Sequence, residues 1–490
     1  MDALPALSIG GMLAQSDRGL TTVGDSIRLA VEALFTPLGA GAALSAAVFA
    51  AVCLFWRHGL LLAGSAQLYM LTLSYGDQRW FDNTLVQPFA ALRTHGRSIA
   101  FVLLMLMLLK SLLGPRGWRT RIVLGATVVF ALFQAYYLAR LSLNEPLRGV
   151  LGLGSAAMTM LAFTVGIGKS IQDDSGLDRV VRMVGWASFG FLATNLLQIS
   201  LSYGTSVASN RLVGVSGNAQ LTGFICVVFI LANAYLFARA PLLGPTRLVH
   251  GAAIGVLGLM LLWTGSRTGV LSGFVGILVF HRAQVGRLLV LGIIAGVVLL
   301  AASLVFSESF IGINRLIDGE NTRRLVWTIA LEEFAGAPLF GVIGERDQLV
   351  FSIESSLFST LSLLGLSGAV PLMGFVMLLV GGLLRLWSLR WQGRVMPEAA
   401  DLVLAWCASL LVASVFEGFL LGIMTFAVTV LYLSLAMLAY LFDDAEHPVE
   451  DDPEWEACDD ASAPPLELSA QGAAAGQGFV EDQGFSRSYQ

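Results

Sequence analysis

A series of apolar stretches, each about the length of a membrane-spanning helix, runs through most of this chain. A span needs ~20 mostly apolar residues, because the hydrocarbon core of a bilayer is ~30 Å thick. The chain is 56% hydrophobic and only 13% charged, and its mean hydropathy is +0.76. These values exclude a soluble globular domain. They predict an all-α polytopic integral membrane protein with about 12 to 14 transmembrane helices.

The apolar runs give approximate limits for a transmembrane domain over residues 34–442. Residues 1–25 lack the basic start and early apolar core of a cleavable signal peptide, and residues 1–33 are expected to form an interfacial or periplasmic segment. Residues 443–490 carry much of the acidic charge and are expected to form a disordered tail. The predicted spans are 34–55, 59–75, 99–113, 122–138, 149–168, 183–203, 221–238, 248–263, 269–280, 288–306, 368–384, 402–420 and 423–442.

The distribution of arginine and lysine sets the predicted orientation. Basic residues fall in alternate loops, so they share one side of the predicted membrane, and the positive-inside rule places that side and the acidic tail in the cytoplasm. The opposite side receives residues 204–220, the turn around Arg267 and a long loop over 307–355, whose length is typical of a functional segment. The basic residues are Arg116, Arg119, Arg121, Lys169, Arg179, Arg182, Arg239, Arg247, Arg282, Arg287, Arg385, Arg390 and Arg394.

Arg267 lies in the turn Thr264-Gly265-Ser266-Arg267-Thr268-Gly269, between two predicted spans. A guanidinium keeps its charge, and placing one unpaired at membrane depth costs at least ~2.5–3.5 kcal/mol. The positive-inside rule also makes arginine scarce on the outer side. The sequence therefore predicts an anionic ligand for Arg267; the alternative is an arginine that extends to the lipid headgroups.

A second outer segment, Asn210-Arg211-Leu212-Val213-Gly214-Val215-Ser216-Gly217-Asn218, directly precedes a span. Its glycines permit a tight backbone path, and Asn218 is the expected N-cap of the following helix. We expect Arg211 and Asn218 to bind substrate; an ordinary loop with an interfacial arginine is the alternative.

The long outer loop contains a predicted helix that starts after Asn321 or Thr322 and runs to about Phe334. Arg323 and Arg324 in its first turn oppose the helix dipole, and a bound anion would resolve that conflict. Trp327, one turn after Arg323, could hold a guanidinium or stack on a sugar. The alternative is a surface helix with ion pairs through Glu332 and Glu333.

Glu354 is a carboxylate near the end of the same loop, before Ser355 and the apolar run that follows. It could take a proton from a sugar hydroxyl as a general base, or it could hold an arginine in an ion pair. The sequence leaves both roles open.

Other classes of site have little support. The four cysteines and five histidines form no metal-ligand spacing, so no metal is expected. The chain has no Gly-x-x-x-x-Gly-Lys loop and no basic stripe, which argues against a nucleotide-driven pump and against nucleic-acid binding.

Together these segments resemble the O-antigen ligase and polymerase superfamily of bacterial envelope glycosyltransferases. The resemblance covers about residues 211–384 and includes four parts in the family's order. They are the Arg211–Asn218 loop, the Ser266-Arg267-Thr268-Gly269 turn, the Arg323 to Trp327 helix with Pro338-Leu339-Phe340-Gly341, and residues 355–368.

The resemblance implies an all-helical, GT-C-like transferase of the inner membrane that uses neither metal nor cofactor. Its substrate would be an undecaprenyl-pyrophosphate-linked oligosaccharide in the bilayer, with a chain-length regulator protein as a further partner. Arg211, Arg267 and Arg323 would bind the pyrophosphate at the periplasmic face. Family ligases carry a histidine late in the large loop, where this chain has Glu354, so the polymerase branch is favoured.

Two alternative functions remain at this point. One is a ligase that transfers glycan to lipid A or protein. The other is a lipid-linked glycan flippase or secondary transporter, a class that usually shows repeated halves and charges at mid-membrane. No convincing repeat is present here, and the charges gather at one face.

Overall fold

The computed structural model describes residues 37–73, 85–87, 89–113, 124–143, 146–208, 210–242, 244–282, 323–342, 355–422 and 424–446. Within these ranges the protein is an all-α polytopic bundle. In the same ranges it also has one short hairpin of two strands, β1 (Val207–Ala208) and β2 (Arg211–Leu212), each two residues long. The helices are α1 (Pro37–Phe55), α2 (Gly59–Leu73), α3 (Phe89–Thr94), α4 (Gly96–Leu113), α5 (Leu124–Ser142), α6 (Pro146–Met160), α7 (Asp174–Leu201), α8 (Tyr203–Ser206), α9 (Ala219–Arg239), α10 (Pro245–Trp263), α11 (Arg267–Phe280), α12 (Arg323–Gly336), α13 (Ser356–Trp391), α14 (Pro397–Phe416) and α15 (Phe426–Glu446).

Eight of the described helices are long and apolar enough to cross a membrane, and shorter apolar helices accompany them. Every predicted span has a helix at its position, except 288–306, which lies outside the described residues. The predicted segment 1–33, the residues after 446 and most of the loop 307–355 also lie outside them.

Several predicted boundaries differ from those of the helices, as three examples show. The span predicted over 368–384 belongs to α13, which begins at Ser356 because the Ser355 hydroxyl caps it by accepting from the Phe358 amide. The span predicted over 402–420 ends at Phe416. The span predicted to end at 442 continues to Glu446, where Arg385 pairs with the Glu446 carboxylate and holds the last turn.

The centre of the bundle is formed by α9, α14 and α15. In the most apolar stretch of α15, 89% of the residues are buried, whereas in that of α10 only 22% are buried. Helix α10 presents leucines outward, as expected for a helix that faces lipid. Trp406 of α14 is fully buried, and its indole Nε1 donates to the Val228 carbonyl of α9 over 3.1 Å. The core therefore supports the neighbouring ends of α9 and α14, where the candidate site lies.

Helices α11 and α14 pack side by side in opposite directions, which defines two ends of the bundle. At one end, Asp401 bridges Arg282 over 2.6 Å and Arg390 over 3.1 Å. At the other end, the Thr268 hydroxyl donates to the Glu417 carboxylate over 3.3 Å. We call these the Asp401 end and the Arg267 end.

Several basic residues that the sequence places on one side do gather at the Asp401 end. Arg239 at the end of α9 pairs with Asp178 near the start of α7 over 3.0 Å. Tyr440 of α15 donates to Asp174 over 3.2 Å at the first residue of α7. The charged ends of α7, α9, α11, α13, α14 and α15 are thus on one side of the bundle, in agreement with the alternation predicted from the sequence.

The long helix α13 is broken at Gly365, which adopts φ 64° and ψ −157°. The turn after α12 enters this break, so that the Leu366 amide donates to the Pro338 carbonyl over 2.8 Å and the Ser367 amide donates to the Leu339 carbonyl over 3.1 Å. Gly341 also has a positive φ of 65° and meets the backbone of α13. The break fixes α12 and its turn against α13.

Candidate functional site

The Arg211 loop lies against the end of α10. The Arg211 Nε donates to the Thr264 carbonyl over 2.8 Å, which satisfies one of the last carbonyls of that helix. Asn218 is the N-cap of α9, as predicted: its Oδ1 accepts from the amides of Gln220 and Leu221 over 2.8 and 3.1 Å. The loop is therefore fixed at both of its ends.

The Arg267 turn is the connection between α10 and α11. Ser266 caps α11 by accepting from the Gly269 amide over 3.0 Å, which makes Arg267 the first residue of the helix. Ser266 and Thr268 are buried and Arg267 is half-buried. The cap therefore fixes the backbone that carries the Arg267 side chain.

The starts of α9 and α11 touch each other because both carry glycine at the contact. A Cβ atom at Gly269 would lie 3.1 Å from the Cα of Gly223, and a Cβ at Gly223 would lie 3.2 Å from the Cβ of Ser266. Only small residues allow two backbones to approach in this way. The first turns of α9 and α11 therefore lie side by side.

Trp327 of α12 lies in an aromatic cluster with α13 and α14. Its ring stacks on Phe358, with 4.9 Å between ring centroids, and on Phe416 at 6.3 Å. The indole Nε1 is buried and has no hydrogen-bond partner among the described residues. Because an indole N–H usually finds a partner when buried, this donor is suited to a ligand.

Helix α12 contacts α13 at a second point. Besides the Trp327 stack, its Glu333 carboxylate accepts from the Ser362 hydroxyl of α13. Glu332, in contrast, is exposed. Arg323 and Arg324 are the first residues of α12, so Arg323 lies one helical turn before Trp327. Their side chains, and all of Glu354, lie outside the described part of the chain.

Glu417 connects these segments, and it was not anticipated from the sequence. It follows the last residue of α14 and is 8% exposed. Its carboxylate accepts from Thr268, and its carbonyl accepts from the Ser356 hydroxyl over 2.9 Å. The preceding residue, Phe416, reaches Trp327. The sequence analysis placed Glu417 inside the predicted span 402–420, among apolar neighbours, and gave it no role.

The Arg267 end therefore brings together Arg211, Asn218, Arg267 and Trp327 from three separate segments of the sequence. It also holds three capped helix N-termini, those of α9, α11 and α13, whose positive dipole ends favour anions. Within the described ranges, no group of His, Cys, Asp or Glu could hold a metal ion. Guanidinium groups, capped amides and an indole N–H form a site suited to an anion attached to an organic group.

Comparisons with models of known protein families and with curated proteins found no match. The function must therefore be argued from the geometry of the Arg267 end and from the sequence features that it joins.

Proposed function

We propose that this protein is a polymerase that joins undecaprenyl-pyrophosphate-linked oligosaccharide repeat units. It works at the periplasmic face of the bacterial inner membrane, in the synthesis of an exopolysaccharide, capsule or O-antigen. The observation that carries the proposal is the convergence of Arg211, Arg267 and the Trp327 helix at one end of an apolar bundle.

The charge of the Arg267 end matches the leaving group of this reaction. Breaking the bond between an anomeric carbon and pyrophosphate leaves a multiply charged group, whose charge grows in the transition state. Fixed guanidinium donors stabilise that charge where it develops, and removing one such donor typically costs ~10²–10³ in turnover. Arg211 and Arg267 are placed for this role on a loop and a helix start whose backbones are fixed.

The apolar surroundings match the carrier of the substrate. An undecaprenyl chain would stay in the bilayer while its pyrophosphate reaches the membrane surface, and the proposal places the ends of α9, α11 and α13 at that surface. Trp327 supplies an unpartnered indole donor beside this anion site, and indole rings are well suited to sugars. The lipid, the pyrophosphate and the glycan of the donor each have a matching surface.

The acceptor is a sugar hydroxyl of a second lipid-linked unit. Its oxygen forms the new bond to the anomeric carbon as the bond to pyrophosphate breaks and the electron pair leaves with the phosphate oxygen. The hydroxyl proton passes to a base, for which Glu354 is the proposed residue. Arg323 and Arg324 at the start of α12 complete the proposed pyrophosphate contacts.

Arginine variants expressed in a strain that lacks the chromosomal copy test the proposal. Arg267→Ala should abolish polymer while the protein remains at a near-normal level in the membrane. Arg267→Lys should retain only part of the synthesis, because an ammonium keeps the charge but loses the planar fork. Arg97→Ala is the matched control, since Arg97 is exposed at the start of α4. Polymer of normal length from Arg267→Ala would remove Arg267 from the mechanism.

A further inference from the structure

Glu417 is the buried carboxylate that contacts the arginine-bearing turn directly. The Thr268 hydroxyl holds its Oε1, and the Ser356 hydroxyl holds its main-chain oxygen. The Ser356 oxygen also accepts from the Leu420 amide over 3.2 Å, which fixes the chain on the far side of Glu417. Moving the Glu417 side chain breaks the contact to α11, and moving its backbone breaks the contact to α13.

A negative charge in this position lies against the turn that carries Arg267. Burying a carboxylate is costly unless it is hydrogen-bonded and paired, and burying a guanidinium at membrane depth is costly for the same reason. Glu417 bonds to Thr268, the residue directly after Arg267, in the first turn of α11. The positive end of the α11 dipole adds to the attraction.

We propose that Glu417 is the resident counter-anion of the Arg267 end, which balances the arginine charge until the substrate pyrophosphate competes with it. This inference rests on the polymerase function proposed above, because it requires that a pyrophosphate binds at this end. Glu417 acts through the Arg267 turn and is therefore a positioning residue.

The consequence is a limit on how tightly the site holds pyrophosphate. A site of arginines and helix N-termini alone would bind the released carrier, which has the larger negative charge, at least as strongly as the donor. Tightly bound product then slows turnover. A resident carboxylate weakens both complexes by repulsion. Release of undecaprenyl pyrophosphate after each transfer then becomes faster.

Glu417→Gln tests this role because the amide keeps the size of the side chain and an oxygen that accepts from Thr268, and only the charge is lost. We expect the purified variant to bind undecaprenyl pyrophosphate at least about tenfold more tightly than the wild type. Inorganic pyrophosphate, measured alongside, should gain affinity in the same direction if the anion alone is recognised. In polymerisation assays on reconstituted protein, KM and kcat should both fall, because product leaves more slowly.

Glu417→Asp, which keeps the charge, should behave as the wild type, and Glu332→Gln removes an exposed carboxylate of α12 as the matched control. Unchanged or weaker pyrophosphate binding by Glu417→Gln would overturn the inference. If this variant alone yields little folded protein, Arg267→Gln added to it should restore the yield, because the unbalanced positive charge at this end is then removed as well. Failure of the double variant to recover would also overturn it.

The same experiment separates the two proposals. Wild-type protein that binds undecaprenyl pyrophosphate but does not polymerise would refute the polymerase function and leave the counter-anion to be judged by the Glu417→Gln affinity. Wild-type protein that binds neither pyrophosphate probe would refute both.

Discussion

Replacing Gly365 by alanine should destabilise the protein strongly, because two backbones meet at this residue. Gly365 has φ 64° and ψ −157°, a conformation that is essentially restricted to glycine. A Cβ atom there would lie 2.6 Å from the Leu339 carbonyl carbon, which belongs to backbone and cannot rotate away. The turn after α12 would have to leave the break in α13.

The expected cost follows from two contributions. Holding a residue with a side chain in this backbone region costs ~1–3 kcal/mol. Separation of the turn from the helix removes the bonds from Leu366 to Pro338 and from Ser367 to Leu339, at ~0.5–1.5 kcal/mol each. Gly365→Ala should therefore lower the free energy of unfolding by about 2–6 kcal/mol.

The assay is unfolding of the purified protein in mixed detergent micelles with increasing sodium dodecyl sulfate, followed by tryptophan fluorescence. Gly381→Ala is the matched control on the same helix, since a Cβ atom at Gly381 meets nothing within 4 Å. The control should unfold at the wild-type midpoint or slightly above it, because alanine favours helix. A Gly365→Ala variant with the wild-type midpoint would refute the proposed packing of α12 on α13.

Three further substitutions provide two more tests. Asp401→Asn should lower the free energy of unfolding by about 3–5 kcal/mol in the same assay, because it leaves Arg282 and Arg390 without their shared carboxylate. Glu446→Gln removes an exposed ion pair and should lower it by under ~1 kcal/mol. Equal effects of the two substitutions would contradict the argument that the buried ion pairs matter more. Glu354→Gln should strongly reduce polymer synthesis at normal protein level if Glu354 is the base, whereas unchanged synthesis would leave it only a role in positioning an arginine.

The positions of the helices could be predicted from the sequence because a bilayer demands long apolar runs. The caps were also visible: Asn218 before an apolar run predicts the start of α9, and the polar residues before Arg323 predict the start of α12. Boundaries failed where the sequence carries no strong local signal. Residues 356–367 mix serine and threonine with leucine, so the predicted span begins only at 368 and omits the first turns of α13.

The candidate site could be predicted only in part, since its arginines and Trp327 belong to recognisable local segments but its contacts do not. Thr268 and Glu417 are separated by 149 positions in the sequence, and no local pattern indicates their hydrogen bond. The contact arises because α11 and α14 pack in opposite directions over their whole length. A lone carboxylate beside apolar residues reads as part of a span until that packing is known.

The account is tested most directly by the size of the lipid-linked glycans in a strain that lacks this protein. The polymerase function predicts single repeat units attached to undecaprenyl pyrophosphate, no polymer, and restoration of polymer by the wild-type gene but not by Arg267→Ala. Full-length polymer that remains on its lipid carrier would contradict the account and indicate a ligase. Single repeats that remain on the cytoplasmic side of the membrane would contradict it in favour of a flippase.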